Sequence, residues 1–146
     1  MVMKVLGLDI GEKRIGVAVS DALGCTAQGM RVLERRGLDA DIEALKTLIR
    51  DEKASQIVVG LPKNMDGSMG EGAHKVLSFV QNLEDAVSVP VILWDERWTT
   101  AEATRVLLQA DLSRKKRRRV IDKVAAALIL QGYLDSLDHG AGGGLP

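Results

Sequence analysis

Three acids stand where apolar runs stop or begin: Asp9 in LGLDIG, Glu96 in VILWDER and Asp122 in VIDKV. A carboxylate at the end of a buried strand is costly unless a cation meets it. That cation can be a metal, an arginine, or the magnesium of a bound nucleotide. Taken singly, each acid has an ordinary role. Asp9 serves as a turn or cap residue, Glu96 belongs to a surface ion-pair cluster with Asp95 and Arg97, and Asp122 complements a helix dipole. Together they point to a different chemistry. Clustered carboxylates repel one another and persist near neutral pH by binding a divalent ion, and an all-oxygen ligand set suits Mg²⁺ or Mn²⁺. Such an ion orients water and stabilises charge on a phosphoryl oxygen, as phosphodiester hydrolysis requires.

Around these acids lie groups suited to phosphate. Gly7 and Gly11 flank Asp9 and remove side-chain bulk where a backbone or a phosphate must come close. Lys13 and Arg14 follow, either as solvated turn residues or as phosphate partners. The polar loop after Gly60-Leu61-Pro62 offers Lys63, Ser68 and backbone amides. Arg97 is placed to meet phosphate or to pair with Asp95, and a guanidinium suits phosphate geometry better than an ammonium. The run Arg114, Lys115, Lys116, Arg117, Arg118, Arg119 is either a solvated face or a grip on several phosphates beside the cut, which gives affinity without sequence reading. Aromatics make up only 3% of the chain. Trp94 and Phe79 read as core, which leaves few rings for base stacking and favours recognition of shape. His74 and His139 lack ligand partners at useful spacing and read as surface residues.

The elements that must position these groups follow from periodicity. Val2 to Leu8 and Ile15 to Val19 read as strands joined by the turn Gly11–Arg14, a hairpin. A third short strand is expected near Met30 to Leu33. Asp39 or Asp41 caps a helix carrying Ile42, Leu45, Leu48 and Ile49. Gln56 to Leu61 and Val89 to Trp94 read as buried strands. Between them, Ala73, Val76, Leu77, Val80 and Leu83 mark an amphipathic helix. Thr99 and Glu102 have capping-box spacing and open a helix with Ala103, Val106, Leu107 and Ala110. The basic run leads into a last helix, Val120 to about Leu137. A meander followed by strand–helix alternation predicts an α/β fold, a mixed sheet with helices on both faces. Sites in such folds form beyond the carboxyl ends of the parallel strands.

Bulk properties bound the answer. The chain has 146 residues, enough for one domain with a real core. The expected division is a single domain over 1–138 and a flexible glycine-rich tail over 139–146. Hydrophobic content is 46% and formal net charge is zero, so the overall field neither favours nor disfavours nucleic acid. The single cysteine, Cys25, forms no intrachain disulfide; it reads as a small buried side chain and suits a reducing cytoplasm. No apolar run reaches the ~20 residues of a membrane helix, and no signal-peptide core is present. A cytoplasmic protein is expected.

The stretches LGLDIGEKRIGVAVSD, IVVGLPKNMDGS, VILWDERWTTAEA and IDKVAAALILQGYL resemble the YqgF family, RuvC-resolvase-like proteins named as nucleases of the 16S ribosomal RNA precursor and also as Holliday junction resolvase-like proteins. The likeness runs in order from about residue 4 to 138. It implies an RNase H-like fold with strand order 3-2-1-4-5. It implies a metal-dependent nuclease with its acids on Asp9, Glu96 and Asp122, and Asp95 as a candidate fourth ligand. The implied role of Asp9 is the central ligand. The implied partner is nucleic acid, either the precursor RNA or branched DNA, with the chain a monomer or homodimer. Trp98 departs from the family's usual Leu or smaller residue, and the tail after His139 is not covered. Two other readings compete. An apolar strand followed by Asp-x-Gly and a hairpin also resembles the phosphate loop of the actin, heat-shock-70 and sugar-kinase fold, but those proteins need two such domains and this chain has one. A non-catalytic nucleic-acid-binding module is the other, and it leaves three acids to repel phosphate.

Overall fold

The computed structural model describes residues 4–98 and 114–141, with side chains described over 4–97 and 120–137. Five strands form one sheet: β1 (Val5–Ile10), β2 (Arg14–Ser20), β3 (Ala27–Glu34), β4 (Gln56–Leu61) and β5 (Val91–Asp95). Helix α1 (Leu38–Glu52) precedes β4, α2 (Glu71–Ala86) precedes β5, and α3 (Arg114–Ala141) closes the described chain. The sheet order is β3-β2-β1-β4-β5, as the resemblance implies. β1, β2 and β3 pair antiparallel, while β4 runs parallel to both β1 and β5.

Strand alternation sorts side chains between two layers. Leu6, Leu8, Ile15, Val17, Ile57, Val59 and Leu61 face α1 and α2, where Leu45, Val76, Phe79 and Leu83 complete one apolar cluster. Val5, Ala18 and Val58 face the other way and pack under Ala126, Ile129, Leu130 and Leu134 of α3. The buried positions of α3 come in pairs four residues apart, from Ile121 through Leu134, so one stripe of the helix lies along the sheet.

Several local expectations need correction. α1 begins after Gly37, whose φ of 134° suits glycine, and no side chain caps it. Asp41 instead sits buried in its first turn and accepts bonds from Arg36 N at 3.0 Å and Arg35 Nε at 2.9 Å. The last helix starts at Arg114, not Val120. Lys and Arg are good helix formers, so the basic run supplies the first turns rather than a lead-in. Asp122 consequently lies more than two turns inside α3, out of reach of a dipole effect confined to the first turn. Cys25 is exposed, because its loop is turned by Asp21, whose carboxylate accepts from Cys25 N at 2.7 Å. The Thr99–Ala110 helix and residues 142–146 fall outside the described residues. Among the described residues no helix is long and apolar enough to cross a membrane.

Candidate active site

Asp9 occupies the penultimate position of β1, opposite Gly16 on β2. On its other side Leu8 pairs with Val59, which brings Asp9 level with Gly60 of β4. Asp9 shares a face with Val5 and Gly7, the face that carries α3. Its carboxylate therefore has a glycine on each flank, and each glycine leaves space that another acid fills. A Cβ on Gly16 would fall 2.2 Å from the Asp122 carbonyl oxygen and 3.3 Å from Asp122 Cβ. A Cβ on Gly60 would fall 3.0 Å from Glu96 Cγ and 3.1 Å from Glu96 Cδ. Glu96 reaches this place from the single 3₁₀ turn Glu96–Trp98 that follows β5. The structure thus draws Asp9, Glu96 and Asp122 to one level of the sheet, at the carboxyl ends of its parallel strands.

Gly16 and Gly60 matter more than the sequence reading allowed. A glycine inside a strand pattern signals close backbone approach, and that signal was present in RIGVAVS and IVVGLP. Gly7 belongs to the same floor: a Cβ there would lie 2.7 Å from Leu130 Cβ. These bare positions let α3 lie directly on the sheet.

Asp122 Oδ2 accepts a bond from Arg14 Nε at 2.9 Å. Arg14 is therefore not a solvated turn residue; its charge is spent on an acid of the site. The neighbouring Glu12 and Lys13 are exposed at the tip of a turn closed by Gly11 N donating to Arg14 O at 2.9 Å. Among the described residues, no three His, Cys, Asp or Glu side chains are gathered closely enough to hold a metal ion as they stand.

Asp95 is not brought into this group. It pairs with Leu61, so alternation turns it to the α1–α2 face, away from Asp9. Arg97 engages it instead, with Nη2 to Oδ2 at 2.7 Å, Nε to Oδ2 at 3.0 Å and the backbone N to Oδ1 at 2.9 Å. The bonds from Arg97 hold the Asp95 carboxyl below the usual carboxylate range, against the opposing effect of burial, with Lys63 adding a smaller pull.

Arg97 also ties down the loop after β4. Its Nη1 donates to Met65 O at 3.3 Å. Within the loop, Gly67 N donates to Asn64 O at 2.9 Å and Asn64 N to Ser68 O at 2.9 Å. Gly67 takes a φ of 88°, a conformation glycine adopts without strain. Ser68 Oγ donates to Asp66 Oδ1 at 2.6 Å, which with the Ser68 amide lowers the Asp66 carboxyl. Lys63 is half-buried near Asp95, and Ser68 is exposed. The basic residues Arg114 to Arg119 are helical in backbone and lead straight to the turn bearing Asp122.

Because the Asp95 carboxyl is depressed in the folded chain, its pairing contributes stability above about pH 4, and that contribution is lost as pH falls through the folded value. Arg97→Ala should therefore lower stability to urea at pH 7 and hasten proteolysis within residues 62–70. Its deficit against the wild type should narrow at pH 3. An equal deficit at both pH values would remove Asp95 from the account.

The RuvX family, described as Holliday junction resolvase, matches residues 3–136. A protein of Moorella thermoacetica named "Putative pre-16S rRNA nuclease" is 56% identical over 135 residues, covering 92% of this chain and 96% of its own. One of the same name from Clostridium kluyveri is 53% identical over 135 residues, covering 92% and 98%. The solved structure of Thermus thermophilus RuvC with a Holliday junction substrate superposes with a TM-score of 0.57 at 17% identity, covering 92% of this chain and 96% of that one. That likeness establishes the fold as RNase H-like. With the match running over nearly the whole chain and relatives of its own length half identical to it, the protein belongs to the RuvX (YqgF) family.

Proposed function

We propose that the chain is a divalent-metal-dependent nuclease that processes the 5′ end of the 16S ribosomal RNA precursor. The observation that carries the reading is the placing of Asp9, Glu96 and Asp122 around two glycine seats at one level of the sheet. The names of half-identical relatives support the substrate.

The donor set fits a hard divalent ion. All three side chains offer oxygen, and clustered carboxylates are stable near neutral pH when a cation shares them. Asp9, Glu96 and Asp122 would hold Mg²⁺ or Mn²⁺, which would supply Lewis-acid stabilisation of charge on the phosphoryl group. Asp95 stands outside this set. The chain's own residues do the rest. The rigid sheet fixes Asp9, the glycine seats fix the approach of the other two acids, and α3 closes one side. Lys13, Lys63 and the run Arg114–Arg119 receive the backbone phosphates of the substrate, while the Ser68 hydroxyl stays committed to Asp66 within the loop. Arg97 serves them indirectly, by holding the loop in shape.

The test is cleavage of a labelled 16S precursor fragment beside a four-way DNA junction of equal length, with Mg²⁺, with Mn²⁺ and with chelator. Cuts at the 5′ precursor boundary that vanish with chelator are expected. Cutting of the DNA junction alone would move the substrate to branched DNA, and chelator-resistant cutting would overturn the metal.

A further inference from the structure

We propose that Arg14 and a divalent cation compete for the same oxygen, Asp122 Oδ2, so that an ion entering the site releases Arg14 toward the substrate phosphate. The inference rests on the metal-site reading above and assigns Arg14 as a positioning residue within it.

The geometry supports a contest rather than a casual surface pair. Arg14 opens β2 and, by alternation with Gly16 and Ala18, points to the α3 face. Its Nε lies 2.9 Å from Asp122 Oδ2, and the two side chains are only 21% and 22% exposed. A charge-assisted bond with both ends half-buried is stronger than an exposed pair. Neither backbone can drift away. Asp122 is seated on Gly16, and Arg14 is pinned by the closed turn to Gly11. Side-chain rotation alone can therefore part them. The pair borders a cavity of about 310 Å³ lined by Gly11, Glu12, Lys13, Arg14 and Asp122. Rotated off the acid, the guanidinium remains in this cavity beside Lys13, where phosphate oxygens would be its partners.

The consequence is a linkage. An ion must displace Arg14 to gain Asp122, so the chain alone binds it less tightly than its carboxylates allow. A phosphate that engages Arg14 lowers this obstacle, and by reciprocity ion and nucleic acid each tighten the other.

Mn²⁺ binding to the protein alone, followed by calorimetry, tests this on the wild type, Arg14→Gln, Lys13→Gln and Asp9→Asn. Arg14→Gln is expected to bind Mn²⁺ about tenfold more tightly, since a bond to a charged group no longer opposes the ion. Lys13→Gln removes the same charge one residue away but no bond to Asp122, and should change affinity less than about threefold, as for an exposed charge. Arg14→Gln matching the wild type, or matching Lys13→Gln, overturns the inference and leaves the metal reading standing. Asp9→Asn binding as the wild type does overturns the metal reading itself, and a wild type without any Mn²⁺ site overturns both. Should Arg14→Gln fail to fold, the ¹⁵N signal of Arg14 Nε in the wild type decides. It should shift on saturation with Mg²⁺, and an unmoved signal overturns the proposal.

Discussion

Asp9→Asn is expected to reduce cleavage by about a thousandfold while the protein stays folded and still binds RNA. Asparagine keeps the size of the side chain and the β1–β2 pairing opposite Gly16, so nothing in the sheet changes. What it removes is the charge that, in the proposed site, a divalent ion would share with Glu96 and Asp122. Metal stabilisation of a reacting phosphoryl group is worth several kcal/mol, and about 1.36 kcal/mol is a tenfold rate change, which sets the size of the loss. The fold should survive, because the substitution leaves the backbone ladder of β1 intact. The measurement is single-turnover cleavage with Mn²⁺ beside a thermal melt. A fully active Asp9→Asn protein would falsify the mechanism.

The second large effect is expected at the two glycine seats, and the two should fail differently. In Gly16→Ala the new methyl group meets the Asp122 backbone at 2.2 Å. Backbone cannot swing aside, so α3 must lift from the sheet. Overpacking of this kind costs roughly 1–3 kcal/mol, and displacing an acid by about an ångström costs about a hundredfold in rate. In Gly60→Ala the methyl group meets side chains, Ile129 Cδ1 at 2.6 Å and Glu96 at 3.0 to 3.1 Å. Those can move, so stability should change little while Glu96 is pushed from its place and activity falls. Urea denaturation paired with cleavage assays separates the two. Equal losses of stability at both positions would mean that the seats do not distinguish backbone from side chain as described.

Much of this fold was legible in the sequence. The hairpin, β4 and α2 announced themselves by apolar runs and helical spacing, and the strand order came from the family resemblance rather than from periodicity. Asp9 and Glu96 were legible because each stands at the end of an apolar strand, whereas Asp122 lies more than two turns inside α3 and was assigned to the site by the family resemblance. Asp95 was harder: it adjoins Glu96 in sequence, yet strand alternation sends it to the opposite face, where Arg97 claims it. The parity becomes readable only when the structure places Trp94 in the core beneath α3. The start of α3 at Arg114 is not legible from apolar spacing, because an unbroken charge run carries no helical periodicity even though Lys and Arg favour helix. The bond between Arg14 and Asp122 was not legible at all. The two residues are separated by 108 positions, and only the docking of α3 on Gly16 brings them together.

The two faces of this sheet leave the sequence unequal freedom to vary. Under α1 and α2, aliphatic side chains of many shapes fill one cluster, and exchanges that conserve volume can be absorbed by repacking. Under α3 the contacts at Gly7 and Gly16 are made by absence. Nothing smaller than glycine exists to compensate a change elsewhere, and anything larger acts as a wedge beneath the helix. Mutational drift should therefore be channelled to one side of the molecule, with the other held still by its lack of side chains.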